Sequence, residues 1–265
     1  MNFYDRLLHD VATIKDYGGM QCKLSVVKTM KNPEFDVKPI PKRSKGTVND
    51  EKTSENVSRT KSKIFELVYC NPWDYFCTFT IAKTKGDRYD IDDFRKRYSQ
   101  WLRDYKKKFG CDIKYLHIPE QHKNGAWHFH SFIYGLSVDR LREFKQTEKL
   151  PYRLLELIRQ RNENNLKIFD WPDYKEKFGF CTLEQVMNKE ACSKYVTKYI
   201  TKDLARSITE VNAHLYYCSK GLQRAQIIKR GQLLEQPTSW DFEGEYAKCK
   251  FYRSDSLDYL CKIVD

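Results

Sequence analysis

The sequence predicts an α+β fold, on three observations. "YFCTFTIA" (Tyr75 to Ala82) is a run of aromatic and β-branched residues, as strands are. "DIDDFRKRYSQWLRDYKKKFG" (Asp90 to Gly110) has the marks of a complete helix. "DIKYLHIPE" and "AWHFHSFIYGL" are two strands joined by "QHKNG", which makes a hairpin.

Taken in order, residues 1 to about 60 form an N-terminal extension. A short helix is expected around Phe3, Leu7 and Leu8. "VKPIPKRSKGTVNDEKTSEN" (Val37 to Asn56) is charged, proline-containing and small-polar, the composition of a linker. The domain proper is expected over 61–265, regular from Ile64. The helix at Asp90–Gly110 has acids in its first turn, lysines in its last and glycine as its stop. Phe94, Tyr98, Trp101, Leu102 and Tyr105 recur at helical spacing and form its buried face. After the hairpin come a helical region, about Val138 to Gln160, and a polar break, "RNENN". A strand within Phe178–Met187 follows, then a helix over Lys189–Ala205, then strands in "HLYYC" and "AQIIKRGQLL". The order β-α-β-β-α-β is the ferredoxin-like pattern, a central antiparallel sheet of about five strands with helices on one face.

Composition narrows the function. The net charge is +12 with 40% hydrophobic residues, a globular chain whose basic surplus points to a polyanionic partner. No run of 18 or more apolar residues and no charged-then-apolar N-terminus occurs, so neither a membrane span nor a signal peptide is expected. The nine cysteines are scattered with no C-x-x-C pair, which argues against a zinc ribbon or disulfide framework and for reduced thiols in a cytoplasm. No G-x-x-x-x-G-K-[ST] occurs, so strand unwinding would need a separate helicase.

The chain has six histidines, and His117, His122, His128 and His130 are four of them. His128 and His130 alternate on a strand, so both leave one face about 6–7 Å apart at Cα, while Phe129 faces the helices. Two hairpin registers compete for the third ligand. A two-residue Asn124-Gly125 turn pairs Gln121 with His128 and puts His117 on the metal face. A three-residue loop, Lys123 to Gly125, pairs Glu120 with His128 and Ile118 with His130, and turns His117 into the packed side. Glycine's ease in the left-handed position such loops require favours the second. His122 shares that face and is a candidate outer ligand. Two histidines and a carboxylate suit Mn²⁺ or Mg²⁺, and would also take Zn²⁺ or Fe²⁺.

"SKYVTKYITKDL" (Ser193 to Leu204) is the second informative stretch. On a helix, Cys192, Val196 and Ile200 form an apolar stripe, with Tyr195 and Tyr199 beside it about 5–6 Å apart at Cβ. Lys194, Lys198 and Lys202 form a third stripe, and like charges at that spacing cost a few tenths of a kcal/mol each unless an anion sits there. Solvated lysines on an amphipathic helix are the plain alternative. With a metal, the stretch makes a mechanism: a phenol is a poor nucleophile near neutrality, but a metal-bound phosphate and lysines favour its phenolate.

These residues resemble the HUH endonucleases. His128-Phe129-His130 is similar to their His-hydrophobic-His motif, Tyr195-x-x-x-Tyr199 with Lys198 and Lys202 to their nucleophile helix, and "YFCTFTIA" to their first strand motif. The motifs in this order look like the replication initiators of filamentous and microvirus-type phages and related mobile elements. The resemblance covers about Phe65 to Leu234. It implies a ferredoxin-like (RRM-like) HUH fold and one Mn²⁺ or Mg²⁺ held by Glu120, His128 and His130. It also implies nicking of single-stranded origin DNA through a 5′-phosphotyrosine; it leaves open which tyrosine cuts first, and Tyr195 is expected to, with Tyr199 as its partner. Host replication machinery is then a partner, and no small-molecule cofactor is expected. Backbone and stacking contacts to DNA are expected from Lys194, from Lys220, Arg224, Lys229 and Arg230, and from Lys61 and Lys63. The rival readings are a relaxase or transposase on the same fold, a non-catalytic nucleic-acid-binding protein, and an iron-dependent oxygenase.

Overall fold

The computed structural model describes residues 7–19, 21–31, 50–199, 215–253 and 263–264. The fold is α+β, with antiparallel sheets and five α-helices among the described residues. Two compact units divide the chain. The first takes residues 1–70 and 223–265, and the second takes 71–222. This differs from the expected boundary near residue 60, because the N-terminal segment is built into a sheet with strands from the other end of the chain.

In the first unit, β1 (Leu7–Asp16), β2 (Gln21–Lys31) and α1 (Asp50–Cys70) precede the second unit. β10 (Gln226–Leu233), β11 (Phe242–Glu243), β12 (Ala247–Arg253) and β13 (Ile263–Val264) follow it. They form a six-stranded sheet in the order β11-β12-β2-β1-β10-β13. The helix expected near Leu7 and Leu8 is a strand instead, and Phe3 lies outside the described residues. Val11, Thr13 and Ile14 are β-branched, and β1 gains ladder partners on both edges, which outweighs any local helical tendency. Of the expected linker, 37–49 lies outside the described residues and Asp50–Asn56 is the opening of α1. That helix buries Val57, Ile64, Phe65, Leu67 and Val68. Glu66, also buried, pairs with Lys15 at 2.8 Å and accepts from the Ala225 amide.

The second unit runs β3 (Tyr75–Thr80), α2 (Ile91–Phe109), β4 (Lys114–Gln121), β5 (Trp127–Tyr134) and β6 (Arg142–Glu143). It continues with α3 (Tyr152–Asn162), β7 (Ile168–Asp170), α4 (Pro172–Lys177), β8 (Cys181–Gln185), α5 (Lys189–Val196) and β9 (Tyr217–Cys218). Its seven-stranded sheet has the order β6-β7-β8-β3-β5-β4-β9. The expectation of one sheet of about five strands therefore gives way to two sheets. "AQIIKRGQLL" leaves this sheet for the other, where its partner is β1. Of the helical region expected from Val138, a 3₁₀ turn forms at Val138–Arg140 and the α-helix starts at Tyr152, just after Pro151, which disfavours helix in the residue before it.

Helix α2 follows its sequence signals closely. Asp90 accepts from the Asp92 and Asp93 amides at 2.9 Å, and Gly110 closes the helix at φ 62°. Its buried Phe94 stacks on Phe129 with ring centroids 4.5 Å apart, and Tyr174 of α4 packs on Phe79 at 4.4 Å. One sheet face thus carries α2 and α4. Phe76, three residues from Phe79, points to the opposite face and meets Tyr195 there at 5.8 Å. The helices therefore do not all lie on one face.

Candidate active site

The hairpin of β4 and β5 sets the site. His122 donates its amide to the Ala126 carbonyl at 2.9 Å, and the Gly125 amide donates back to His122 at 2.8 Å. Lys123, Asn124 and Gly125 are the loop, and Gly125 has φ 83°. Glu120 pairs with His128 and Ile118 with His130, the register that the three-residue loop predicts. His117 accordingly points to the packed side. It is 3% exposed, stacks on Tyr115 at 4.3 Å, and its Nδ1 lies 2.7 Å from Ser131 Oγ.

On the other face, His128 Nε2 and His130 Nε2 each donate to Glu120 Oε2, at 2.7 and 2.8 Å. The three side chains could hold a metal ion, with donor atoms within 4.8 Å of one another. Both imidazoles are buried and Glu120 is half-buried. Burial pushes His128 down to about 4, helped by the neighbouring His130 and His122, and it also lowers His130. Burial works to raise Glu120, but the hydrogen bond from His130 and the charges of both histidines outweigh it, so its carboxyl titrates below the usual range. Near neutrality the set is two neutral imidazoles and one carboxylate, and a divalent cation taken at Nε2 would move the proton of each ring to Nδ1. Each Nδ1 is buried with no hydrogen-bond partner among the described residues. The three converging donor atoms therefore fit a divalent cation. His122 stacks on His128 at 4.0 Å but is not one of the three converging donors.

The tyrosines stand over this face. Asn188 caps α5 by accepting from the Ala191 amide, and buried Ser193 and Val196 seat the helix. The segment then tightens into a 3₁₀ turn, Thr197–Tyr199, rather than continuing as α-helix. Tyr199 stacks on His130 with centroids 3.7 Å apart, and its hydroxyl donates to Tyr195 Oη at 2.6 Å. Burial raises the Tyr199 phenol well above its ordinary value, with the Tyr195 oxygen and the charges of Glu120 and Glu184 adding to the effect. Lys198 Nζ lies 3.5 Å from the Tyr195 ring centroid and 5.4 Å from that of Tyr199. Tyr195 remains 45% exposed, whereas Tyr199 is half-buried.

The other expected residues are scattered. Lys194 pairs with Glu190 on the exposed side of α5, and Lys202 lies outside the described residues. Lys220 is exposed in the second unit, while Lys61, Lys63, Arg224, Lys229 and Arg230 belong to the first. Two contributors escaped the sequence reading. Phe76 lies between the rings of His130 and Tyr195, and Glu184, opposite Phe76 on β8, is held by Arg161 at 2.8 Å. Alternation along "YFCTFTIA" placed Phe76 on the metal face all along, but its neighbours depended on strand pairing.

No described helix is long and apolar enough to cross a membrane. No curated protein and no solved structure matches the chain. A family model for replication-associated proteins of the ORF2 type matches residues 74–204, the stretch that contains Glu120, both metal-face histidines and both tyrosines. On that match the site-bearing part of the chain is similar to a replication-associated protein, which points to a role in DNA replication.

Proposed function

We propose that the chain is an HUH-type nicking and joining endonuclease that initiates rolling-circle replication on single-stranded origin DNA. The observation that carries the reading is the stacking of Tyr199 on His130, which sets the tyrosine pair directly on the Glu120–His128–His130 donor face. The sheet order β8-β3-β5-β4, with α2 between β3 and β4 and with β6, α3, β7 and α4 between β5 and β8, is compatible with a ferredoxin-like core and supports the same reading. A divalent cation, Mn²⁺ or Mg²⁺, held by Glu120, His128 and His130 would supply Lewis-acid polarisation of the scissile phosphate.

Tyr195 is the first nucleophile. Its oxygen attacks phosphorus, the P–O3′ bond breaks, and the phenol proton ends on the departing 3′ oxygen. The products are a 5′-phosphotyrosine and a free 3′-hydroxyl, so no energy source is needed. Tyr199 donates a hydrogen bond to the Tyr195 oxygen, and the Lys198 ammonium over the Tyr195 ring is available to the charge that develops on the phosphate. Tyr199 stays free while Tyr195 holds the strand, and can attack the next junction. A 3′-hydroxyl attacking the phosphotyrosine restores the P–O3′ bond and releases the tyrosine. Lys202, with Lys198, is assigned to the phosphate, and a separate helicase with host replication machinery extends the primer in the cytoplasm.

The test is denaturing electrophoresis after incubation with Mn²⁺ and labelled single-stranded oligonucleotides from the replicating element. A covalent adduct is expected with the wild type and none with Tyr195→Phe/Tyr199→Phe. An adduct in the double variant, or none in the wild type, overturns the proposal.

A further inference from the structure

The first unit, which lies outside the matched residues 74–204, has a pocket of its own. Its volume is about 380 Å³, and Asp10, Val26, Lys28, Gln236, Trp240 and Lys248 line it. The sheet explains the grouping. Lys248 on β12 stands opposite Val26 on β2, so both share a face with Lys28, two residues on. The β1–β2 ladder pairs His9 with Thr29 and Val11 with Val27 but skips Asp10, which has a φ of 50°. Trp240 packs on the cluster of Ala12, Ile14, Cys22, Leu24, Val26 and Ile263, which fixes its indole at the pocket wall.

The chemistry is that of a nucleotide. An indole face stacks any base, and two ammonium groups meet phosphate oxygens. A carboxylate and an amide, Asp10 and Gln236, complement the polar edge of a base. Lys28 makes no ion pair among the described residues, and the Lys248–Glu243 pair at 3.0 Å is exposed enough to exchange for a phosphate. Farther along β12 on the same face, Lys250 lies 5.7 Å from the Tyr252 ring and donates to Ser239. Basic and aromatic groups thus continue beyond the pocket, as a strand longer than one nucleotide requires.

We propose that this pocket holds one nucleotide of single-stranded DNA, its base on Trp240 and its flanking phosphates at Lys28 and Lys248. The choice of DNA over RNA rests on the nicking reading above, while the pocket's fit to a single strand does not.

The test measures binding of fluorescent oligothymidylate to the full chain in EDTA, where no nicking is needed. Trp240→Ala should weaken binding roughly tenfold, as loss of one stacked base does, and Trp240→Phe should restore most of it. Lys28→Gln/Lys248→Gln, at one exposed and one half-buried position, should lower the salt slope by about 1.4. Unchanged affinity and slope in the lysine variant would overturn the proposal, as would a mononucleotide that competes as well as the oligomer. Tighter binding of oligouridylate would overturn the assignment to DNA. Because adduct formation is read separately, lost binding without any adduct supports the pocket and sinks the nickase. An adduct with unchanged binding does the reverse.

Discussion

Acidification from about pH 7.5 to about pH 5 should destabilise the wild type through His117, and His117→Gln should remove that part of the loss. The ring is 3% exposed between Tyr115 and Tyr98, and burial pushes it down to about 3. An unfolded histidine takes up a proton below about pH 6.5, whereas the folded one stays neutral to about 3. The folded-state value is depressed, so stability is complete above about pH 6.5 and falls as pH drops toward about 3, by ~1.4 kcal/mol per unit. At about pH 5 the loss is ~2 kcal/mol. Urea midpoints of both proteins across this range supply the measurement. His128 and His130 also titrate low, but they are present in both proteins and cancel in the difference. A wild-type-minus-variant difference that is constant with pH would refute the reasoning. It would also reopen the other hairpin register, in which His117 shares the metal face and is not sealed from water.

Two further predictions concern the site itself. Gly125→Ala should cost ~1–2 kcal/mol of stability, because the residue must hold φ 83°, while the added carbon meets Tyr89 only at ordinary contact distance, 3.6 Å. Its Mn²⁺ affinity by calorimetry should stay near wild type if the register survives; loss of metal binding would mean the hairpin has slipped. Lys198→Gln should slow adduct formation by roughly tenfold with unchanged Mn²⁺ affinity, since the ammonium faces the Tyr195 ring rather than the metal donors. An unchanged adduct rate would remove Lys198 from the mechanism.

The parts of this molecule that were legible in sequence are those whose information is local. Asp90 and Gly110 bracket α2 as caps, and Gly125 fixes a register that then places Glu120, His128, His130 and His117 without any knowledge of the rest of the chain. The first unit was illegible for the opposite reason. Strand β1 lies between β2 and a strand more than 200 residues away, and its alternation is broken at Asp10. The polar opening of α1 resembled a linker because its buried positions begin only at Val57. The tyrosine pair was recognisable as a motif, but its seat on His130 depends on a helix packing on the sheet face opposite α2. The tightening to a 3₁₀ turn at Thr197 had no signal in propensity.

The division of the chain has a consequence for its synthesis. Residues 71–222, which hold the donor face and the tyrosines, leave the ribosome as one continuous stretch. Strands β1 and β2 emerge before that stretch, yet their outer partners β10 and β12 are made after it. At roughly 5–20 residues per second, the early strands wait on the order of 10 seconds or more with open edges. The unit of residues 71–222 can fold during that interval, while the sheet that brackets it in sequence closes only afterwards. A nascent chain interrupted after residue 222 would therefore carry the Glu120–His128–His130 donor face without the paired sheet that holds the Trp240 pocket.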